Sequence, residues 1–130
     1  MESEGLIKFD LIENLPHAVA INRKARSDIF IDQIGDRGGW GYGMNSVESL
    51  SMGICTVTEI NDKYNSFIPD HPFVNVNQNN FDSVLRDLSQ DRKKIEAKGI
   101  DARNWVVKNH DITQVSEKLY QYYKDMGLII

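Results

Sequence analysis

Apolar positions along this chain fall into short runs of strand length, separated by longer stretches of helical period. Leu6-Ile7-Lys8-Phe9-Asp10-Leu11-Ile12 alternates in part and is rich in β-formers, which predicts a first strand. Asn14-Leu15-Pro16 then reads as a helix start, with Asn14 as cap and Pro16 in the first turn, where its missing N–H is no loss. The helix covers residues 16–26. Ala18, Ala20, Ile21 and Ala25 supply its apolar surface, and Arg23, Lys24 and Arg26 lie near the C-terminal end that the helix dipole favours for cations. Ile29-Phe30-Ile31-Asp32-Gln33-Ile34 is a largely apolar run, as expected of a strand covered on both faces. A glycine-rich loop follows, then a helix over 44–52 and a strand over 54–58.

Residues 59–69 form a mostly polar connection, and Phe73-Val74-Asn75-Val76 reads as a last strand. The remainder is helical in pattern. Asn80 caps a helix through Phe81, Val84, Leu85 and Leu88, and Asp91 starts another through Ile95 and Lys98 that Gly99 closes as a C′ residue. Segments 102–109 and 113–126 are further amphipathic pieces, with Val115, Leu119 and Tyr122 or Tyr123 on one side of the last. The order predicts one α/β domain over residues 1–130, a three-layer arrangement in which about four parallel strands are flanked by helices. In such sheets ligands bind at the carboxyl ends of the strands, and the glycine-rich loop lies at one of them.

Composition narrows the class. The 130 residues are 41% hydrophobic and 26% charged, which suits a soluble globular domain. A net charge of −4 with only short basic runs, Arg23-Lys24 and Arg92-Lys93-Lys94, argues against nucleic acid as a partner, because phosphate contacts need clustered cations. Cys55 is the only cysteine, so no intrachain disulfide and no multi-cysteine zinc site can form. The acidic start Met1-Glu2-Ser3-Glu4-Gly5 lacks the apolar core of a signal peptide, and no apolar run reaches the length of about eighteen residues that a membrane span requires. A cytoplasmic location is expected, with peripheral membrane contact left open.

The chemistry concentrates in Gly38-Gly39-Trp40-Gly41-Tyr42-Gly43-Met44-Asn45-Ser46-Val47-Glu48. Glycines let a backbone approach a ligand closely, and the free N–H groups of a helix start attract anions. A single carboxylate, Glu48, follows in the helix. A phosphate or nucleotide site is the reading these residues suggest.

From Trp40 to Val57 the chain resembles the retaining nucleotide-sugar-dependent glycosyltransferases of the GT-B fold, group 1 or family four. Their C-terminal domain carries a stretch like E-x-F-G-x-x-x-x-E-A-x-A-x-G-x-P-V-I, set here against Trp40-Gly41-Tyr42-Gly43 through Glu48 to Gly53-Ile54-Cys55-Thr56-Val57. Ser27 to Gln33 resembles the strand leading into that loop, and Asn77 through Leu88, Asp91 and Trp105 resemble the closing helices. The resemblance implies a Rossmann-like GT-B C-terminal domain that binds a nucleotide-sugar donor as substrate, with no cofactor and no metal. It places Glu48 on the donor's ribose hydroxyls and Gly43, Met44 and Asn45 against its sugar and diphosphate. Trp40 stands where the family has a glutamate contacting the transferred sugar, so Trp40 and Tyr42 are candidates for that contact, with Asp36 as a substitute carboxylate. Cys55 replaces a proline. The diphosphate-holding Arg and Lys and the N-terminal acceptor domain lie outside the matched region. The expectation is therefore a partial domain, inactive alone, whose strands either re-pair Leu6 to Ile12 beside Asp28 to Ile34 or leave an edge for self-association.

Each residue also has a plainer reading. The glycines could be a simple connection, Glu48 a solvated helix residue, Tyr42 a packing residue and Cys55 a small buried hydrophobe. His17 suits a surface or capping position, and His71 and His110 have no acid pair or cysteine cluster beside them. A non-catalytic binding module of the same fold is the alternative function, favoured by Trp40. Asp28 and Asp32 on one strand bring to mind a receiver-like acidic site, but the acidic pair expected at the end of a first strand is missing.

Overall fold

The central strand of the sheet, buried along its whole length, is Cys55–Thr58 (β2). Its four residues alternate between two different surroundings. In a computed structural model describing residues 1–35, 41–68 and 70–129, β2 pairs in parallel with Ile29–Ile31 (β1) on one side and Val74–Asn75 (β3) on the other. Ile29 stands against Cys55 and Ile31 against Val57, and Val57 stands in turn against Val74. The ladder runs past the strand ends: Asp32 N–H donates to the Val57 carbonyl at 2.9 Å and Glu59 N–H to the Gln33 carbonyl at 3.0 Å.

Helices His17–Lys24 (α1), Met44–Ser51 (α2), Asp62–Phe67 (α3), Phe81–Ser89 (α4), Arg92–His110 (α5) and Ile112–Asp125 (α6) complete the described chain. Cys55 and Val57 meet Val76, Leu88 and Ile95 in one cluster. The opposite side of β2 presents Thr56 to α2, where its hydroxyl pairs with Ser49 Oγ at 2.7 Å. A second cluster joins Leu50 of α2 to Ile60, Phe73, Ala102, Trp105 and Val106. Because α5 contributes Ile95 to the first cluster and Ala102, Trp105 and Val106 to the second, this one long helix ties both together.

The α/β class and the parallel sheet stand as expected, with three strands where about four were predicted. The missing one is the first. Residues 6–12 carry no strand, and Phe9 and Leu11 are more than half exposed. Partial alternation is a period without a partner: the segment is held by Asp10 to Arg23 and, just before it, by Glu4 to Arg86 at 2.8 Å, and it does not pair with β1. Asn14 does not cap α1 either; its φ of 53° is left-handed, and Pro16 occupies the cap position with no side-chain bond. The polar connection after β2 folds its middle into α3, capped by Asn61 Oδ1 accepting from Tyr64 N–H at 3.1 Å.

Gly99 does not end a helix. It lies inside α5, which runs on without a break through the segment expected as a separate piece. The reason is a close backbone crossing: a Cβ on Gly99 would stand 2.2 Å from the Gly53 carbonyl oxygen. Gly53 itself terminates α2 at φ 72°, with Ile54 N–H bonded to the Ser49 carbonyl and Gly53 N–H to that of Leu50, the paired bonds of a Schellman turn. Asp91 caps α5 through Lys94 N–H at 3.0 Å, as its position predicts. On α6 no residue is buried. Among the described residues no helix is long and apolar enough to cross a membrane.

Candidate functional site

The residues singled out in the glycine-rich stretch divide between two faces of α2. Asp36, Gly38, Gly39 and Trp40 lie outside the described residues. Gly41 begins the visible part at φ 81°, with Tyr64 and Ile60 at contact distance of the place its Cβ would take. Here the positive φ requires glycine. Gly43, by contrast, holds an ordinary extended φ of −113° as N-cap of α2, and nothing lies within 4 Å of where its Cβ would be. Among the described residues, then, Gly43 is not held to glycine by a close neighbour or by its φ. Met44 and Asn45 are exposed beside it, and the N–H groups of a first helical turn have no partner inside the helix.

Glu48 sits one turn further along, a quarter exposed, and both of its carboxylate oxygens are engaged. Oε2 accepts from Lys24 Nζ at 2.8 Å and Oε1 is 2.9 Å from His17 Nε2. The Lys24 hydrogen bond, then that of His17, holds the Glu48 carboxyl below its ordinary value of 4.5. Lys24 is the unusual partner. Its side chain is only 5% exposed, its ammonium lies 3.2 Å from Asn45 Oδ1 and 3.4 Å from the Asn45 carbonyl oxygen, and it stands 4.6 Å above the centroid of the Phe30 ring on β1. A lysine buried to this degree needs paired charge and hydrogen bonds, and α2 provides them.

The other face of α2 is structural. Ser46, fully buried, donates to Asp32 Oδ2 at 2.5 Å just beyond β1, and Glu59 beyond β2 accepts from Gly35 N–H at 2.6 Å. These bonds fix the helix start and the loop entry over the carboxyl ends of the two strands. Tyr42 turns away from Glu48 into an aromatic group: its ring centroid is 5.0 Å from Phe73, 5.8 Å from Trp105 and 5.9 Å from His110, and its hydroxyl meets His110 Nε2 at 3.2 Å. Burial raises the Tyr42 phenol and lowers the His110 imidazole. Tyr42 is thus a packing residue here. Cys55 is buried within the central strand, where desolvation pushes its thiol up to about 11, the setting of an inert thiol.

Sequence reasoning assigned Lys24 to the helix dipole and His17 to the surface, and so missed their meeting on Glu48. A signal was present. Ala20, Ile21 and Lys24 recur at helical spacing on the inward stripe of α1, and a lysine on an apolar stripe calls for a buried anion.

The Glu48 ion pair makes a pH-dependent contribution to stability. Its carboxyl in the folded chain lies below the 4.5 it has when unfolded, so the unfolded chain binds more protons as the solution is acidified. The contribution is fully present above 4.5 and is lost as pH falls through the folded value. Urea unfolding at about pH 7 and about pH 3 is expected to show a smaller acid-induced drop in Glu48→Gln than in the parent chain. Equal drops would show that Glu48 is not held this way.

Comparison with known proteins gives no match: no family model, no curated protein and no solved structure aligns significantly with this chain.

Proposed function

We propose that this chain is the nucleotide-sugar-binding part of a retaining glycosyltransferase of the GT-B type, in which Glu48 accepts hydrogen bonds from the donor's ribose and the start of α2 faces its sugar and diphosphate. One observation carries the reading: Glu48 lies one turn inside the helix that Gly43 opens, ionised and still a quarter exposed. An ionised carboxylate only accepts, and two adjacent ribose hydroxyls can donate to it together. In this reading catalysis is positioning of the donor and stabilisation of the departing diphosphate, with no protein nucleophile among the roles assigned. An acceptor domain is the remaining partner, the location is cytoplasmic, and self-association through the open edge of β1 belongs to the same proposal.

The alternative, a binding module without transferase activity, is favoured by one specific feature, Trp40 in place of the sugar-contacting glutamate. Both readings share the pocket. Calorimetric titration with UDP, GDP and ADP is expected to give saturable binding of at least one of them. Glu48→Ala is expected to weaken it about tenfold, the loss of a charge-assisted hydrogen bond. No heat with any of the three overturns the nucleotide reading.

A further inference from the structure

One group at this site has no role in the reading above, although it touches two of the proposed ligand-binding residues. Lys24 comes from a different helix and is almost wholly buried. It reaches two more exposed side chains of α2. An ammonium has three donors and no acceptor, so each polar atom that hydrogen-bonds to it must be an acceptor. On Glu48 it takes one lone pair of Oε2, as His17 takes one of Oε1, and each oxygen keeps a second lone pair for a ligand hydroxyl. On Asn45 it takes up Oδ1, at 3.2 Å, and so turns the amide nitrogen, a donor, to the exposed side. The same Nζ also lies 3.4 Å from the Asn45 carbonyl, tying it to the backbone of the first turn.

Resting on the donor-site reading, we propose that Lys24 is the positioning residue of this site: its buried ammonium fixes Glu48 as an acceptor and Asn45 as a donor one turn apart on α2, and so selects ribonucleotides over 2′-deoxyribonucleotides. The selection follows from what each group accepts. A carboxylate held in one plane takes both hydroxyls of a vicinal diol, and a 2′-deoxyribose leaves one of its lone pairs unmet. The outward Asn45 amide offers a hydrogen to a phosphate oxygen, the partner the diol does not provide. Lys24 also offsets the negative charge that Glu48 would otherwise present to an incoming diphosphate. The low position of the Glu48 carboxyl agrees with this arrangement.

The test compares the parent chain with Lys24→Met, which keeps an unbranched chain at the same depth, and Lys24→Arg, which keeps the charge. Two quantities are read. The first is the titration of the Glu48 carboxyl by carbon-detected NMR; the second is the affinity for the tightest of UDP, GDP and ADP and for its 2′-deoxy counterpart. Lys24→Met is expected to raise the Glu48 titration, to weaken the ribonucleotide about tenfold and to abolish most of the ribo over deoxy preference, the loss of one charged hydrogen bond in each case. Lys24→Arg is expected to restore the Glu48 titration and part of the preference. If Lys24→Met does not fold by circular dichroism, Lys24→Gln takes its place. An unchanged Glu48 titration together with an unchanged preference overturns the proposal. If the parent chain binds no nucleotide, the donor-site reading falls and with it the selection of ribose. The Glu48 titration then still decides Lys24, since a carboxyl that does not move on loss of the ammonium is not positioned by it.

Discussion

Trp105→Ala is expected to lower the unfolding free energy by about 4 kcal/mol, the scale of truncating a buried aromatic, and to shift the urea midpoint with little change in slope. The indole is in contact with three rings at once: Phe73 at 6.0 Å between centroids, Tyr42 at 5.8 Å and His110 at 5.1 Å. It also joins Leu50 of α2 to Ala102 and Val106 in the same cluster. Its loss therefore leaves a cavity between α5, β3 and the chain entering α2, and Tyr42, two residues before Met44, loses its backing. Trp105→Phe keeps an aromatic ring in that space and is expected to recover most of the loss. A midpoint within experimental error of the parent chain would show that this cluster does not carry the fold.

Gly99→Ala is expected to cost about 3 kcal/mol, an overpacking penalty at the upper end of its usual range. The sign is the informative part. At an ordinary helix interior, replacing glycine by alanine stabilises by about 1 kcal/mol, and Gly99 has helical backbone on both sides. What reverses the sign is the Gly53 carbonyl oxygen, 2.2 Å from the added methyl, which is backbone and cannot swing aside as a flexible side chain would. The two helices must separate, and Leu50 and Ala102, both fully buried, lie beside the crossing. Thermal or urea unfolding that shows Gly99→Ala to be as stable as the parent chain would mean that α2 and α5 do not approach this closely.

These two residues show what could be read from the sequence. Trp105 was placed in a closing helix through the resemblance, while the pattern itself gave only an amphipathic segment 102–109, whose Ala102, Trp105 and Val106 are the buried face. Gly99 was misread as a terminator. Glycine after a run of helix formers satisfies the local rule for a C′ residue, and the competing cause, a backbone crossing with Gly53 far away in sequence, leaves no local mark. The lost strand at residues 6–12 is the same lesson for sheets, since alternation specifies a face but not the neighbour with which the ladder must form. In the stretch proposed as the site, the helix start after Gly43 was legible from the glycine-rich loop, and Glu48 lies inside that helix. Lys24 was read as a cation for the helix dipole and His17 as a surface or capping residue, and their meeting on Glu48 was not legible because the pairing of α1 with α2 is a tertiary fact.

The strand order in the sheet repeats the strand order in the chain, β1 beside β2 beside β3. Each pairing then closes one loop between consecutive strands, at a smaller chain-entropy cost than pairing the first strand with the last would carry. The apolar filling does not arrive in the same order. Ile95, Ala102, Trp105 and Val106 all belong to α5, which follows every strand. Both clusters therefore stay incomplete until α5, the C-terminal contributor to each, has joined the sheet.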